Sequence, residues 1–149
     1  MLEAPKGANK ADNLLTVYRG TQSTAEQMIY DETGYLMSDA TRRAYMETES
    51  IEEAYKATKP IHDEWIQIWG DENTYVQAHG EFGIELPREF GLDRTMMSVT
   101  TDPSIAQSFA GEYGTVYEGQ IPSSQLIPQT LKGSGESEYL IKYGAKGFQ

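Results

Sequence analysis

The pattern of apolar and polar positions divides the chain into an early strand, a helical middle and a strand-rich last third. Residues 14–18 (LLTVY) are apolar and rich in β-favouring side chains, which predicts a strand. Ser23 then opens the sequence STAE, in which Glu26 has the spacing of a capping box. Because Gly34 is a common type of helix terminator, we expect a helix over residues 24–32.

Helical periodicity continues over residues 39–80. Pro60 is expected to break this run because proline lacks the N–H group that a helix interior requires. Beyond it, an apolar stripe at i, i+4, i+7 and i+8 predicts a further helix that ends at Gly70. The stripe consists of Ile61, Trp65, Ile68 and Trp69. Residues 75–82 are predicted to form a helix or a compact loop.

Strand patterns dominate the last third of the chain. The predicted strands are residues 95–100 (TMMSVT), 114–121 (GTVYEGQI) and 136–143 (ESEYLIKY). Pro122 is expected to end the second of them, and a loop over residues 123–135 precedes the third. One strand, several helices and then three or four strands are typical of an α+β domain rather than of a βαβ series.

A short helix is predicted between the first two of these strands. Asp102 or Thr101 provides its N-cap, and Pro103 occupies the first helical position, where a missing N–H costs nothing. Ile105 and Phe109 are one helical turn apart, so we expect both side chains to face the core.

Composition narrows the classes of protein to consider. The 149 residues have the length of one domain, and we expect a polar linker over residues 1–13, a domain over residues 14–149, and a longer parent protein. The net charge of −11 argues against a general nucleic-acid-binding surface but leaves a local RNA site or a basic protein partner open. The absence of cysteine excludes disulfides, thiolate zinc sites and a cysteine nucleophile. No apolar run approaches the ~20 residues of a membrane helix, so no membrane partner is expected.

Three short segments at predicted strands carry candidate chemistry: YRG at 18–20, SVT at 98–100 and ESE at 136–138. Arg19 can bind a phosphate through two N–H groups, and Gly20 would let a ligand approach the backbone closely. Taken singly, an arginine at a strand end is usually just solvated, so Arg19 alone does not indicate a function.

The other two segments each place two polar side chains on one strand face. Ser98 and Thr100 share a face, as do Glu136 and Glu138. Two carboxylates in a cleft would raise each other's pKa and titrate as a pair. The ordinary alternatives are a solvated strand face and an acidic edge strand, so it is the combination of the three segments that points to a function.

The order R…S-x-T…E-x-E, with each element on a predicted strand, resembles the arginine–serine–glutamate class of mono-ADP-ribosyltransferase toxins. YRGT is similar to the first strand of that family, and GESEYLI to its E-x-E strand. SVTTDPSIAQSFA is similar to its S-T-S strand and the helix that follows, with Thr100 in place of the second serine. The resemblance covers the start of the domain and residues 95–142. It implies the ADP-ribosyltransferase fold, with two antiparallel sheets around an NAD-binding cleft and flanking helices.

The resemblance also implies roles in binding and cleaving NAD⁺. Arg19 would clamp the diphosphate, and Gly20 backbone groups would hold the nicotinamide amide. Ser98 would hydrogen-bond and orient Glu138, while Thr100 would support the same strand or touch the ribose. Glu138 would hold the ribose 2′-OH and stabilise the positive charge that develops as nicotinamide leaves.

Further implied roles concern the acceptor and the nicotinamide ring. Glu136 would deprotonate or position the acceptor, and a glutamate at this place goes with arginine acceptors in the family. Phe109 or Tyr113 is a candidate for stacking on nicotinamide, with a place in the core as the alternative for either. The related His–Tyr–Glu class needs a histidine where Arg19 stands. The two histidines, His62 and His79, are expected to be structural or exposed, and we expect no metal.

Within its class, the sequence most resembles C-terminal domains of bacterial polymorphic toxins of the Rhs or type VI secreted kind. This implies an effector for interbacterial competition that is delivered into a competitor's cytoplasm and modifies a protein arginine, with translation and division factors as possible targets. A cognate immunity protein would block the cleft. The alternatives are an NAD glycohydrolase, ADP-ribosylation of RNA, and a non-enzymatic module on the same scaffold.

Overall fold

A computed structural model describes residues 13–82, 85–129 and 138–149, which form a mixed α+β fold. The strands are β1 (Leu14–Thr21), β2 (Tyr35–Met37), β3 (Met96–Thr100), β4 (Thr115–Pro122), β5 (Ile127–Pro128), β6 (Glu138–Lys142) and β7 (Gly144–Lys146). The helices are α1 (Thr24–Thr33), α2 (Asp39–Thr48), α3 (Ile51–Trp69), α4 (Glu72–Phe82), α5 (Glu85–Phe90) and α6 (Pro103–Ala110). The α+β class is thereby confirmed. None of the described helices combines the length and apolar composition that crossing a bilayer requires.

Two antiparallel sheets organise these elements. The larger sheet has the strand order β4-β1-β3-β6-β5, and β2 pairs with β7 in a separate sheet of two strands. Strand alternation turns Val17, Val99 and Ile141 to one face of the larger sheet, where they share a core with Leu36 of β2 and Ala145 of β7. The small sheet therefore packs behind the large one.

The opposite face of the larger sheet is covered by helices at one end. Met96 and Leu140 on this face pack with Trp65 of α3 and Tyr75 of α4. At its other end, α6 packs against β1. The floor between these helices is the part of the sheet that forms the groove described below.

Pro60 does not break the helical run. Helix α3 continues through it from Ile51 to Trp69, so the expected break was wrong. The reason is a continuous buried stripe in helical spacing on both sides of the proline, formed by Ala54, Thr58, His62 and Trp65. Burial of this stripe offsets the loss of one backbone hydrogen bond, and the proline ring itself is exposed.

The start of α1 confirms the cap but not the full capping box. The Ser23 side chain accepts a hydrogen bond from the backbone N–H of Glu26 at 3.1 Å, and Gly34 ends the helix with a φ of 80°. The N–H of Ser23, however, donates to Thr21 Oγ1 at 3.0 Å. The Glu26 carboxylate is instead directed towards Arg19, 2.9 Å from its Nε, because that buried ion pair outweighs a local backbone contact.

The expected orientation of α6 was wrong. Ile105 is half-buried and Phe109 is 64% exposed, whereas the residues that α6 buries are Ala106 and Ala110. Small side chains let the helix backbone lie close to the sheet, which leaves the larger apolar side chains along the groove.

Gly20 makes this close approach possible. A Cβ atom at this position would overlap with the carbonyl oxygen of Ala106. We therefore expect Gly20→Ala to lower the free energy of unfolding by about 2 kcal/mol, because backbone atoms must move apart. Urea unfolding of the variant checks this. Gly34→Ala is the comparison, since a Cβ there meets nothing within 4 Å and the variant should lose only about 1 kcal/mol from its left-handed backbone. Equal losses would contradict the packing role of Gly20.

Candidate functional site

A groove with a volume of about 390 Å³ lies on the larger sheet beside α6. Its lining includes six of the residues that the sequence singled out, namely Arg19, Gly20, Ser98, Thr100, Phe109 and Glu138. Glu136 lies outside the described residues, as do residues 130–135 of the predicted loop, and the placement of Glu136 stays a prediction. Residues from β1, β3, β6 and α6 are thus brought to one place from distant parts of the chain.

The groove lies on one face of the larger sheet, whereas the resemblance implies a cleft between two sheets. Its lining residues come from the larger sheet, from α6 and from the segments next to them, and they include none from the described strands β2 and β7. The described lining thus does not show a cleft between two sheets, and that arrangement stays a prediction. The small sheet instead packs on the far side, because its apolar residues complete the core there.

Three side chains form a row across the floor of the groove. Tyr18 on β1 lies opposite Thr100 on β3, and Thr100 lies opposite Glu138 on β6. Directly opposed residues in antiparallel strands have Cβ atoms about 4.5–5.5 Å apart and point to the same face. Strand register alone therefore brings a phenol, a hydroxyl and a carboxylate together.

Glu138 is the groove's partly buried carboxylate. Burial raises the pKa of this side chain above the ordinary glutamate value, because desolvation disfavours the charged form. A carboxylate that is held poorly solvated interacts strongly with any positive charge that develops beside it. Glu138 can therefore stabilise a cation or accept a hydrogen bond from a sugar hydroxyl.

The two hydroxyls on β3 occupy different positions relative to Glu138. Ser98 is in register with Leu140, two residues further along β6, and the hydrogen bonds among described residues include none between Ser98 and Glu138. Thr100 is the residue directly opposite Glu138. The Thr100 Oγ1 atom also accepts the N–H of Asp102 at 3.0 Å, which joins β3 to the start of α6. Through this hydrogen bond, Thr100 holds the end of β3 against the N-cap of α6.

The Arg19 guanidinium is held firmly by Glu26. Its Nε and Nη2 atoms donate to the two carboxylate oxygens at 2.9 and 3.1 Å, and Nη1 donates to the backbone oxygen of Ser98 at 2.9 Å. Glu26 is 1% exposed and also accepts a hydrogen bond from Thr21 Oγ1. Three of the five N–H groups of Arg19 are thereby used, which leaves one on Nη1 and one on Nη2 for a ligand.

A second arginine of the groove, Arg94, was missed by the sequence analysis. Its Nε donates to Asp39 Oδ2 at 2.8 Å, and Asp39 Oδ1 accepts from Arg42 Nη2 at 2.9 Å. These two arginines hold the pKa of Asp39 below its usual value, although burial acts in the opposite direction. The one available signal was the position of Arg94 just before the strand that carries Ser98.

Phe109 extends the apolar side of the groove. Its ring is largely exposed at the last turn of α6, and its carbonyl oxygen accepts a hydrogen bond from Gln22 Nε2 at 3.1 Å. Tyr113 is 91% exposed and lies outside the lining of this groove. The alternative of a core position is therefore excluded for both rings, and Phe109 is the one placed to stack on a ligand.

Both histidines are buried in the fold. His62 lies 2.6 Å from Thr95 Oγ1 and 2.8 Å from Glu72 Oε2 through its two ring nitrogens. Burial lowers the pKa of His79 to about 4, so this ring is neutral near pH 7. The expectation that the histidines are structural is thereby confirmed. The prediction that the protein uses no metal stays a prediction.

Comparisons with protein-family models, curated proteins and solved structures gave no match to this chain.

Proposed function

We propose that the chain is an NAD⁺-dependent mono-ADP-ribosyltransferase. The observation that carries the proposal is the convergence of Arg19, Ser98 and Glu138 in one groove. A guanidinium suits a diphosphate, and a poorly solvated carboxylate suits a ribose cation. These are the residues to which the resemblance to the arginine–serine–glutamate class assigns the binding and cleavage of NAD⁺.

In the proposed reaction, the bond between the ribose C1′ and the nicotinamide nitrogen breaks. Its electron pair passes to the pyridinium ring, so nicotinamide leaves as a neutral molecule and positive charge develops on the ribose. Glu138 holds the ribose 2′-OH and stabilises this charge. The resemblance assigns the diphosphate to Arg19, which has one N–H on Nη1 and one on Nη2 left free by Glu26 and the Ser98 carbonyl, and Phe109 stacks on the nicotinamide ring.

The acceptor completes the reaction by forming a new bond to C1′. A protein arginine would lose one proton in this step, and Glu136 would take it. The acceptor's identity, delivery through an Rhs or type VI system and inhibition by an immunity protein belong to the proposal through the sequence resemblance alone.

Labelled NAD⁺ tests the proposal. The purified domain is incubated with NAD⁺ alone and with a bacterial lysate, and the label is then sorted by protease and nuclease treatment. Transfer of label to protein supports an ADP-ribosyltransferase. Rapid NAD⁺ loss without an acceptor identifies a glycohydrolase, and nuclease-sensitive label identifies RNA as the acceptor. If NAD⁺ is neither bound nor consumed, the chain is not an enzyme of this class.

Glu136→Ala is expected to separate the two half-reactions. Transfer to protein should fall about 10²- to 10⁴-fold, which is the usual contribution of general-base assistance, whereas NAD⁺ cleavage in the absence of acceptor should be largely retained. Parallel assays of labelled protein and of released nicotinamide measure the two rates. Equal losses in both would contradict the division of roles between Glu136 and Glu138.

A further inference from the structure

The two arginines of the groove differ in how many donors they can offer a ligand. Arg19 uses Nε, Nη1 and Nη2 within the protein. In the part of the chain that the structure describes, the side-chain hydrogen bonds of Arg94 involve its Nε alone, which leaves four N–H groups on its two Nη atoms. Arg94 is 26% exposed and Arg19 is 22% exposed, so both side chains reach the groove surface.

The two arginines also differ in how their charge is balanced. Glu26 faces Arg19 through a two-bond ion pair, while its nearest approach to Arg42 is 3.9 Å. Glu26 therefore balances mainly Arg19 and, at a longer distance, part of the charge of Arg42. Asp39 is shared by Arg42 and Arg94, and it is the carboxylate that pairs with Arg94 among the described residues. Three guanidiniums thus face two carboxylates, and the least balanced positive charge of the Arg42–Asp39–Arg94 cluster lies on Arg94.

Of the two arginines in this cluster, Arg94 is the one that lines the groove. Arg42 lines a neighbouring depression, whose wall it shares with Asp39 and Arg94, and does not line the groove. An anion in the groove therefore meets the unbalanced charge through Arg94. In a chain whose net charge is −11, such a local excess has more influence on where an anion binds than the overall field does.

We infer that Arg94 is the principal diphosphate-binding residue of the groove and that Arg19 acts mainly as the structural partner of Glu26. This inference rests on the proposed function for the identity of the ligand, a dinucleotide with a diphosphate. It gives to Arg94 the diphosphate-binding role that the sequence resemblance assigns to Arg19. Asp39 becomes a positioning residue, since its hydrogen bond to Nε orients the free Nη groups of Arg94.

Binding of ADP and of inorganic pyrophosphate tests the inference without requiring NAD⁺ cleavage. Calorimetry should show that Arg94→Gln weakens both ligands about 10- to 100-fold, the effect of removing charge-assisted hydrogen bonds. Adenosine, which has no phosphate, should bind as it does to the wild type. Arg19→Lys retains the charge that Glu26 requires and should weaken ADP less than Arg94→Gln does. Arg88→Gln is the control, because Arg88 is exposed and lies outside the groove lining.

A second variant addresses loss of folding. If Arg94→Gln unfolds, Arg94→Lys retains an ion pair to Asp39 but not the planar fork, and it should still weaken ADP binding. Unchanged ADP affinity in the Arg94 variants, or a larger loss in Arg19→Lys, would overturn the inference. A wild-type protein that binds neither ADP nor pyrophosphate would overturn it as well. Wild-type ADP binding through Arg94 without any NAD⁺ consumption would support it while refuting the proposed enzymatic function.

Discussion

Glu138→Gln should reduce the rate of NAD⁺ cleavage about 10²- to 10³-fold while leaving NAD⁺ affinity nearly unchanged. The glutamine has the same shape and can still accept a hydrogen bond from the ribose. It lacks the negative charge that stabilises the developing ribose cation, so its effect should be confined to the transition state. Nicotinamide release and NAD⁺ binding, measured on the same preparation, separate the two effects.

The matched control is Glu118→Gln. Glu118 is an exposed glutamate of β4 that lies outside the groove lining, so its variant should cleave NAD⁺ at the wild-type rate. A fall in NAD⁺ affinity equal to the fall in rate would place Glu138 in ground-state binding. A cleavage rate within about twofold of wild type would remove Glu138 from the chemistry altogether.

The raised pKa of Glu138 adds a pH dependence to this prediction. The active form is the carboxylate, so cleavage should fall with decreasing pH at a higher pH than an ordinary glutamate would give. The contribution of Glu138 to the free energy of unfolding depends on pH in the opposite sense to the cleavage rate. A carboxyl group with a raised folded pKa stabilises the fold below its unfolded pKa, and this contribution is lost as the pH rises through the folded pKa. Glu138→Gln should therefore be at least as stable as the wild type at pH 7.

Glu26→Ala should cause the largest loss of stability among the substitutions considered, about 3 kcal/mol in the free energy of unfolding. Glu26 is 1% exposed and its carboxylate accepts from Arg19 and Thr21. Its removal leaves the mostly buried guanidinium of Arg19 without its counter-charge, and the Thr21 hydroxyl loses the acceptor of its proton while still accepting from the N–H of Ser23. Equilibrium unfolding in urea measures the effect.

Two comparisons make this prediction specific. Glu64→Ala changes an exposed helical glutamate and should alter stability by less than about 0.5 kcal/mol. The double variant Glu26→Gln/Arg19→Gln removes both charges and should be more stable than the sum of the two single losses implies, because no charge is left unpaired. Additive losses, or a loss below about 1 kcal/mol in Glu26→Ala, would show that the ion pair does not hold this part of the fold.

The positions of most elements could be predicted because their signals are local. Ser23 begins α1 through its side-chain hydrogen bond. Gly34 ends α1, Pro103 begins α6 and Pro122 ends β4, each through the backbone preference of that single residue. Strands β2 and β7 were missed because three residues are too few to establish an alternation. Their existence depends on pairing with each other, which sequence neighbours do not encode.

The sequence predicted which residues line the candidate site, but it did not predict the ion pairs that surround them. Strand alternation indicated that Ser98 and Thr100 share a face, and the resemblance to the arginine–serine–glutamate class singled them out together with Glu138. That Glu26 would leave its capping box for Arg19, and that Arg94 would share Asp39 with Arg42, depends on how α1 and α2 pack beside the sheet. Ion pairs between distant residues have no local pattern from which to infer them.

Local chain chemistry alone thus established the α+β class, the caps, the strand faces and the polar residue types available for a site, because each of these follows from backbone preference and side-chain periodicity. Tertiary packing decided which face of the larger sheet forms the groove, which arginine retains free N–H groups and which residue lies opposite Glu138. Those outcomes depend on strand register and on the burial of charges, and both arise only when segments far apart in the chain come into contact.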